Sequence, residues 1–592
     1  MKIQKIASAS IKFYAGMAVL AVISFLVLYS PFSCSLAHSA DTSQADALPE
    51  KIELHPEVKD PGSFWSLAPE ELDDLAKLHA KMGPEEKLAQ LFMMSYGGDQ
   101  PTSLLYSWIR KRGLGGIKIF GWNAEDTSRL AAAVKAIQDA SENSPFAIPA
   151  FIATDQEGGW IRHVKGNTSI TPGNMAIGAS AWPSDAYYSA YYIASELSAL
   201  GINMNFAPTV DLASRPDSAI IGPRAFSANP METGILAAAW ARGCMDAGIM
   251  PTAKHYPGHG DTELDSHGVL PVINIDMYTL WNRELLPYRI LASEGIPGIM
   301  SGHLAYPQIS GKTEAASLSS LFINDILRKK IGYKGLIITD DLLMTGAGSS
   351  GGLADSCEKA IRAGNDILMF SKTLAMDDPA WIRLLRLYEN DSGFAARVDE
   401  SSLRVLEAKK NWLLSLGRDG IRPKNNPGNY MQTRESQEFF AEQAIRSSTS
   451  IGQFFPRPEN SGQVLAAGPF SDFLNEAKAC LPESASFRFS YQPAEKADPL
   501  ELADFKARLA RAKAAIVCVA NPAGADFAQA VKDAGKTLYI VSVLSPSYSL
   551  PFADCADITA VYSYSKDSFK AAFAVIMEEV EAPGILPLQK DQ

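Results

Sequence analysis

Short apolar runs recur along the first two thirds of the chain, and helical patterns fall between most of them. The runs are Ala89 to Met94, Gly116 to Phe120, Ala150 to Thr154, Asn203 to Ala207, Met250 to His255, Gly298 to His303, Leu336 to Asp340 and Asp366 to Phe370. Stretches such as Ala186 to Leu200 and Leu321 to Lys330 carry the helical spacing between them. Eight buried strands alternating with helices predict an α/β fold of the closed (β/α)8 type over residues 67–416. Local pattern does not show closure, so a doubly wound open sheet is the alternative. The polar residues favour the barrel. Asp155, His255, His303 and Asp340 all stand at or just past the C-terminal ends of expected strands, where barrel enzymes carry their sites.

A second unit follows. Residues 417–439 are rich in Gly, Pro, Asn and charge and read as a linker. Residues 440–592 hold apolar runs at Val464 to Ala467, Ala515 to Ala520 and Leu538 to Val543. Helical stretches at Leu502 to Lys513 and Asp526 to Gly535 precede the last two, which predicts a smaller α/β layered domain. It contains no glycine loop suited to phosphate.

The N-terminus differs from the rest. Lys2, Lys5 and Lys12 precede an uncharged stretch from Phe13 to Ala40, apolar from Tyr14 to Tyr29. Residues 1–40 therefore read as a secretory signal or, alternatively, a membrane anchor. Polar, proline-containing residues 41–66 follow as a linker. The expectation is an exported protein, periplasmic or at the cell surface, with possible membrane attachment.

Composition narrows the partners. The 592 residues carry a formal charge of −12, which argues against nucleic acid as a partner. Five cysteines lie beyond the leader (Cys244, Cys357, Cys480, Cys518 and Cys555) without C-x-x-C spacing, so neither a disulfide framework nor a zinc ribbon is indicated.

The densest chemistry lies in Lys254-His255-Tyr256-Pro257-Gly258-His259-Gly260-Asp261-Thr262-Glu263-Leu264-Asp265-Ser266-His267, which holds three of the eight histidines. Its glycines and proline predict a shaped loop that turns polar side chains toward one point. His259 has an equally good reading as a residue that only satisfies loop backbone. A zinc site from His255, His259 and His267 needs a helix for the first pair, and Pro257-Gly258 opposes one, so no metal is expected. The second segment is Leu336-Ile337-Ile338-Thr339-Asp340-Asp341, an apolar strand ending in two carboxylates. Neighbours on a strand point oppositely, so one faces the pocket and the other caps or ties the loop.

Lys254 to His267, together with Ile338-Thr339-Asp340-Asp341-Leu342-Leu343-Met344, resembles the signatures of glycoside hydrolase family 3 β-N-acetylhexosaminidases of the NagZ type. Further matches are Asp155-Gln156-Glu157-Gly158-Gly159, Asn205-Phe206-Ala207-Pro208 with Asp211, Ile221 to Phe226, and Ser301-Gly302-His303. The resemblance covers about residues 85–375. It implies a retaining mechanism, without cofactor, on β-linked N-acetylglucosamine of cell-wall fragments. Asp340 corresponds to the nucleophile, His267 to the acid/base and Asp265 to the carboxylate that polarises it. Asp155, Arg224, Lys254 and His255 match positions that contact the sugar. One departure stands out: His163 occupies a position where many members have arginine. Trp160 offers either a stacking face or packing. A β-glucosidase of the same superfamily and a non-catalytic sugar-binding protein are the competing expectations.

Overall fold

The computed structural model describes residues 68–588, apart from 216, 217, 219, 263–267, 349–350, 415–416 and 459–460. The expected leader (1–40) and the linker after it (41–66) lie outside the described residues, as do Asp265 and His267.

All eight expected barrel strands form. They are β1 (Phe92–Met94), β2 (Gly116–Ile119), β3 (Phe151–Thr154), β4 (Met204–Asn205), β5 (Met250–Tyr256), β6 (Gly298–Ser301), β7 (Leu336–Asp341) and β8 (Ile367–Phe370). Every pairing is parallel, and β1 closes onto β8 with Phe92 opposite Leu368 and Met93 opposite Met369. The barrel is closed.

Alternation decides which side chains fill it. Leu336 and Ile338 of β7 point into the barrel interior, while Ile337 packs outward against the helices. Methionines 93, 204, 250, 300 and 369 join Phe151 and Phe206 inside, flexible side chains that fill the gaps a tapering barrel leaves. Val405, Ala408, Trp412 and Leu413 close the N-terminal end.

The second domain is a six-stranded sheet built from β9 (Thr449–Gly452), β10 (Val464–Gly468), β11 (Ala485–Arg488), β12 (Ala514–Val519), β13 (Thr537–Ser542) and β14 (Asp557–Ala560). Its order is β9-β14-β13-β12-β10-β11, parallel except for β9 against β14. Helices Pro499–Leu509 and Pro522–Asp533 cover one face, Ser471–Cys480 and Lys566–Ile576 the other.

The stretch 417–439 is packed rather than free. Arg422 pairs with Asp139 at 2.5 Å and Glu142 at 2.7 Å, and the Gln432 amide donates to Glu196. A helix, Arg434–Ser447, then runs through residue 440. Strand β14 packs its Ala560, with Tyr562 just beyond it, against Met175, Ile221 and Ala225, so the second domain backs the loop that carries Arg224. Trp160 packs into the core of that domain as well, which selects packing over stacking for its side chain. Cys244, Cys357, Cys480, Cys518 and Cys555 are all free. Among the described residues no helix is long and apolar enough to cross a membrane.

Candidate active site

The C-terminal mouth of the barrel holds a cavity of about 340 Å³. Lys118, Phe120, Asp155, Glu157, His163, Arg224, Lys254, His255, Asp340 and Asp341 contribute to its lining, and all come from the barrel. Five of the seven residues expected at the site therefore meet there: Asp340, Asp155, Arg224, Lys254 and His255. The other two, Asp265 and His267, lie outside the described residues, on the segment that leaves β5.

A chain of alternating charge forms one wall. Lys118 Nζ and Lys254 Nζ each approach Asp155 to 2.5 Å, one on each oxygen. Lys254 also reaches Glu157 Oε1 at 2.6 Å, and Arg224 grips both Glu157 oxygens, at 2.8 and 3.0 Å. Arg224 Nη2 lies 3.4 Å from His255 Nε2, and His255 Nδ1 lies 2.7 Å from Asp211 Oδ2. Asp211 further accepts the backbone amides of His255 and His259. Burying an unpaired charge is costly, and here each carboxylate has a cation or an imidazole beside it.

Local chain geometry makes this convergence possible. Adjacent residues on a regular strand diverge, yet Lys254 and His255 both enter the cavity. The pairing of β5 with β6 changes register between Ala253 and Tyr256, and this irregularity re-aims the side chains. Glu157 sits on a short hairpin, Gln156–Gly158 with Ile161–Arg162, turned by Gly158 and Gly159 at φ 93° and 58°.

Strand alternation predicts that only one of Asp340 and Asp341 faces the cavity; both line it, and they differ instead in what holds them. Asp341 is tied to the loop, its Oδ1 accepting the amides of Leu343 and Ser371. Asp340 Oδ1 accepts the Asp341 amide at 2.8 Å, and no ion pair to it is found among the described residues. Burial opposes ionisation of Asp340. The charges of His255 and His303, the Asp341 amide and Lys254 outweigh it, so its carboxyl lies below the usual range. Burial likewise opposes ionisation of Glu157, but Arg224 and Lys254 bring it down to about 2. His303 is fully buried, with Nδ1 2.8 Å from Ser317 Oγ and Nε2 3.0 Å from the Asp341 carbonyl oxygen, beneath the strand end rather than in the cavity.

Four lining or supporting residues had no role assigned from sequence: Lys118, Glu157, His163 and Asp211. Lys118 had a signal, because a lysine inside an apolar strand is buried only when paired. His163, noted as a departure, lines the cavity with Nδ1 3.3 Å from Lys118 Nζ and 3.6 Å from Asp155 Oδ2. Burial first, then Lys118, push its imidazole down to about 4, so it is neutral near pH 7. His259 is buried with its ring 5.8 Å from that of His255. Among the described residues there is no group of three or more His, Cys, Asp or Glu side chains arranged to hold a metal ion.

The closed parallel barrel, with its paired-charge cavity and a carboxylate at the end of β7, is the setting the resemblance to glycoside hydrolases implies. Residues 84–408, more than half of the chain, match the glycosyl hydrolase family 3 N-terminal domain, and the chain belongs to that family. It is 35% identical, over 44% of its length, to beta-hexosaminidase A of Pseudoalteromonas piscicida, of which the match spans 46%. It is 36% identical, over 43% of its length, to a beta-hexosaminidase of Neisseria meningitidis, of which the match spans 71%. Its structure superposes on that of a family 3 beta-N-acetylglucosaminidase from Paenibacillus with a TM-score of 0.77. The two are 26% identical, and the superposition covers 86% of this chain and 99% of that one.

Proposed function

We propose that the chain is a retaining exo-β-N-acetylglucosaminidase acting on β-N-acetylglucosaminides of peptidoglycan fragments outside the cytoplasm. One observation carries the reading. Among the described residues, Asp155, Glu157 and Asp211 are engaged in ion pairs, whereas Asp340 is kept ionised and uncommitted at the cavity. A carboxylate in that state is a nucleophile.

In the first step an Asp340 oxygen attacks the anomeric carbon as the glycosidic C–O bond breaks, and His267 gives its proton to the leaving oxygen. In the second step, water attacks the glycosyl-aspartate, His267 takes the proton and the Asp340 ester bond breaks. Asp265 orients the His267 imidazole. Asp155, Arg224, Lys254 and His255 pair with the polar groups of the sugar, which a buried pyranose requires. The names of the relatives support the choice of N-acetylglucosamine, and the leader-like N-terminus supports export.

The test is release of chromophore from a β-N-acetylglucosaminide between pH 5 and 8, with a β-glucoside in parallel. Labelling by a mechanism-based inhibitor then maps to Asp340. Failure to release from the first substrate, or preference for the second, overturns the substrate; a label elsewhere overturns the nucleophile.

A further inference from the structure

A flat aromatic surface stands at the mouth of the cavity and takes no part in the scheme above. Phe120, directly after β2, lines the cavity. Trp122, two residues on, stacks against it with ring centroids 4.5 Å apart and planes within 8°. One indole face is thereby covered, and the residue remains 50% exposed.

Although half-exposed, the indole is held in place. Trp122 Nε1 donates to the Tyr96 carbonyl at 3.0 Å. Asn123 Nδ2 donates to the same carbonyl at 2.9 Å, while Asn123 Oδ1 accepts the Phe120 amide at 2.9 Å. Both ends of the turn Gly121–Asn123 are thus anchored. A rigid ring with one open face loses little entropy when a ligand settles on it.

The surroundings state what that ligand is. His163 lies beside Phe120, with ring centroids 5.6 Å apart, and carries no charge near neutral pH. The Lys118 ammonium, 4.5 Å from the Phe120 ring centre, is neutralised by Asp155. The cation nearest the Phe120 ring is thus paired, and the surface beside it is aromatic. The axial C–H bonds of a β-linked pyranose make a flat apolar face that matches such a surface, while its hydroxyls stay in water.

We infer that Trp122, backed by Phe120 and flanked by His163, forms a leaving-group subsite that binds the uncharged pyranose ring next to the bond being cut. The inference rests on the proposed glycosidase reading and names the sugar on the far side of its reacting bond.

The experiment compares kcat/KM for N,N′-diacetylchitobiose, whose leaving group is a pyranose, with that for β-N-acetylglucosaminyl azide, whose leaving group has no ring. Wild-type protein, Trp122→Ala and Trp122→Phe are measured side by side. Trp122→Ala is expected to lower the chitobiose-to-azide ratio about tenfold, chiefly by raising KM for chitobiose, and Trp122→Phe to restore most of it. A ratio within about twofold of wild type in Trp122→Ala, or an equal loss in Trp122→Phe, overturns the subsite. Wild-type protein that cuts neither substrate overturns the glycosidase reading itself, a result distinguishable from failure of the subsite alone.

Discussion

Arg224 and Glu157 meet in a two-point ion pair, 2.8 and 3.0 Å, with the Glu157 side chain 1% exposed. The pair joins two loops far apart in sequence, the hairpin after β3 and the turn before the helix Pro230–Asp246. Removing one partner of such a pair leaves the other charge buried and alone, which costs about 3–5 kcal/mol. Glu157→Gln is therefore expected to lower stability by about 3 kcal/mol in denaturant unfolding, and to lower kcat/KM as Arg224 loses its orientation. The pH dependence has a definite sign. Glu157 is held near 2 in the folded protein against 4.5 for a free glutamate. Its contribution is complete above about pH 4.5 and lost as pH falls toward 2. The acid unfolding of wild type is expected to steepen in that window, and that of Glu157→Gln to flatten.

His255 and Asp340 are coupled through charge. Burial raises the Asp340 carboxyl, and the largest effect opposing it comes from His255. Loss of the imidazole removes that opposition, so the carboxyl of His255→Asn titrates at higher pH. The acid limb of the kcat/KM profile, measured on a glycoside with a good leaving group, is expected to move upward in His255→Asn relative to wild type. An unmoved limb shows that His255 does not act on the nucleophile.

Strand order and strand ends were legible because eight apolar runs alternate with helices and each polar terminus follows an uninterrupted run. Alternation said only that Asp340 and Asp341 differ; the family resemblance, not the strand pattern, singled out Asp340. In the second domain β9, β11 and β14 escaped notice for a physical reason. Strands β9 and β11 lie at the sheet edges and leave several residues exposed, and β14 interrupts its apolar residues with Asp557 and Thr559, so none shows a continuous apolar run. The ion-pair chain was legible in its members but not in its order. Lys118, Glu157 and Asp211 acquire partners 37 or more residues distant, and no local spacing encodes such contacts. Trp122 was silent because a lone tryptophan in a loop looks the same whether it packs or waits for a ligand.

His267 is assigned the proton that the leaving oxygen takes up, and leaving-group dependence tests that assignment. A nitrophenolate departs without help, whereas a sugar alkoxide does not. His267→Ala is expected to lower kcat/KM on an N-acetylglucosamine disaccharide at least about 100-fold, the size of a general-acid effect, and to lower it far less on the nitrophenyl glycoside. Equal losses on both remove the acid role from His267. Azide supplied as an external nucleophile is expected to accelerate the second step of the variant, since azide needs no base.

Among the described residues, no carboxylate pairs with Lys409 near the barrel floor. Its Nζ donates to Gln90 Oε1 at 2.8 Å and lies 5.3 Å from the centre of the Phe151 ring, with the residue 1% exposed. Burial alone brings the ammonium down to about 7 from 10.5. For a base lowered on folding the sign is opposite to that of Glu157. Below about pH 7 the folded protein carries the buried charge and its full penalty. Between pH 7 and 10.5 the unfolded chain holds a proton that the folded one has released, so this group makes stability rise with pH, by an amount on the order of a few kcal/mol. Lys409→Met keeps an unbranched side chain, one atom shorter, and deletes the titrating ammonium. The difference in unfolding free energy between Lys409→Met and wild type is expected to favour the variant most at pH 6 and to shrink steadily toward pH 10. A difference that stays constant across that range shows that Lys409 keeps its proton in the fold, and that the barrel floor admits enough water to solvate it.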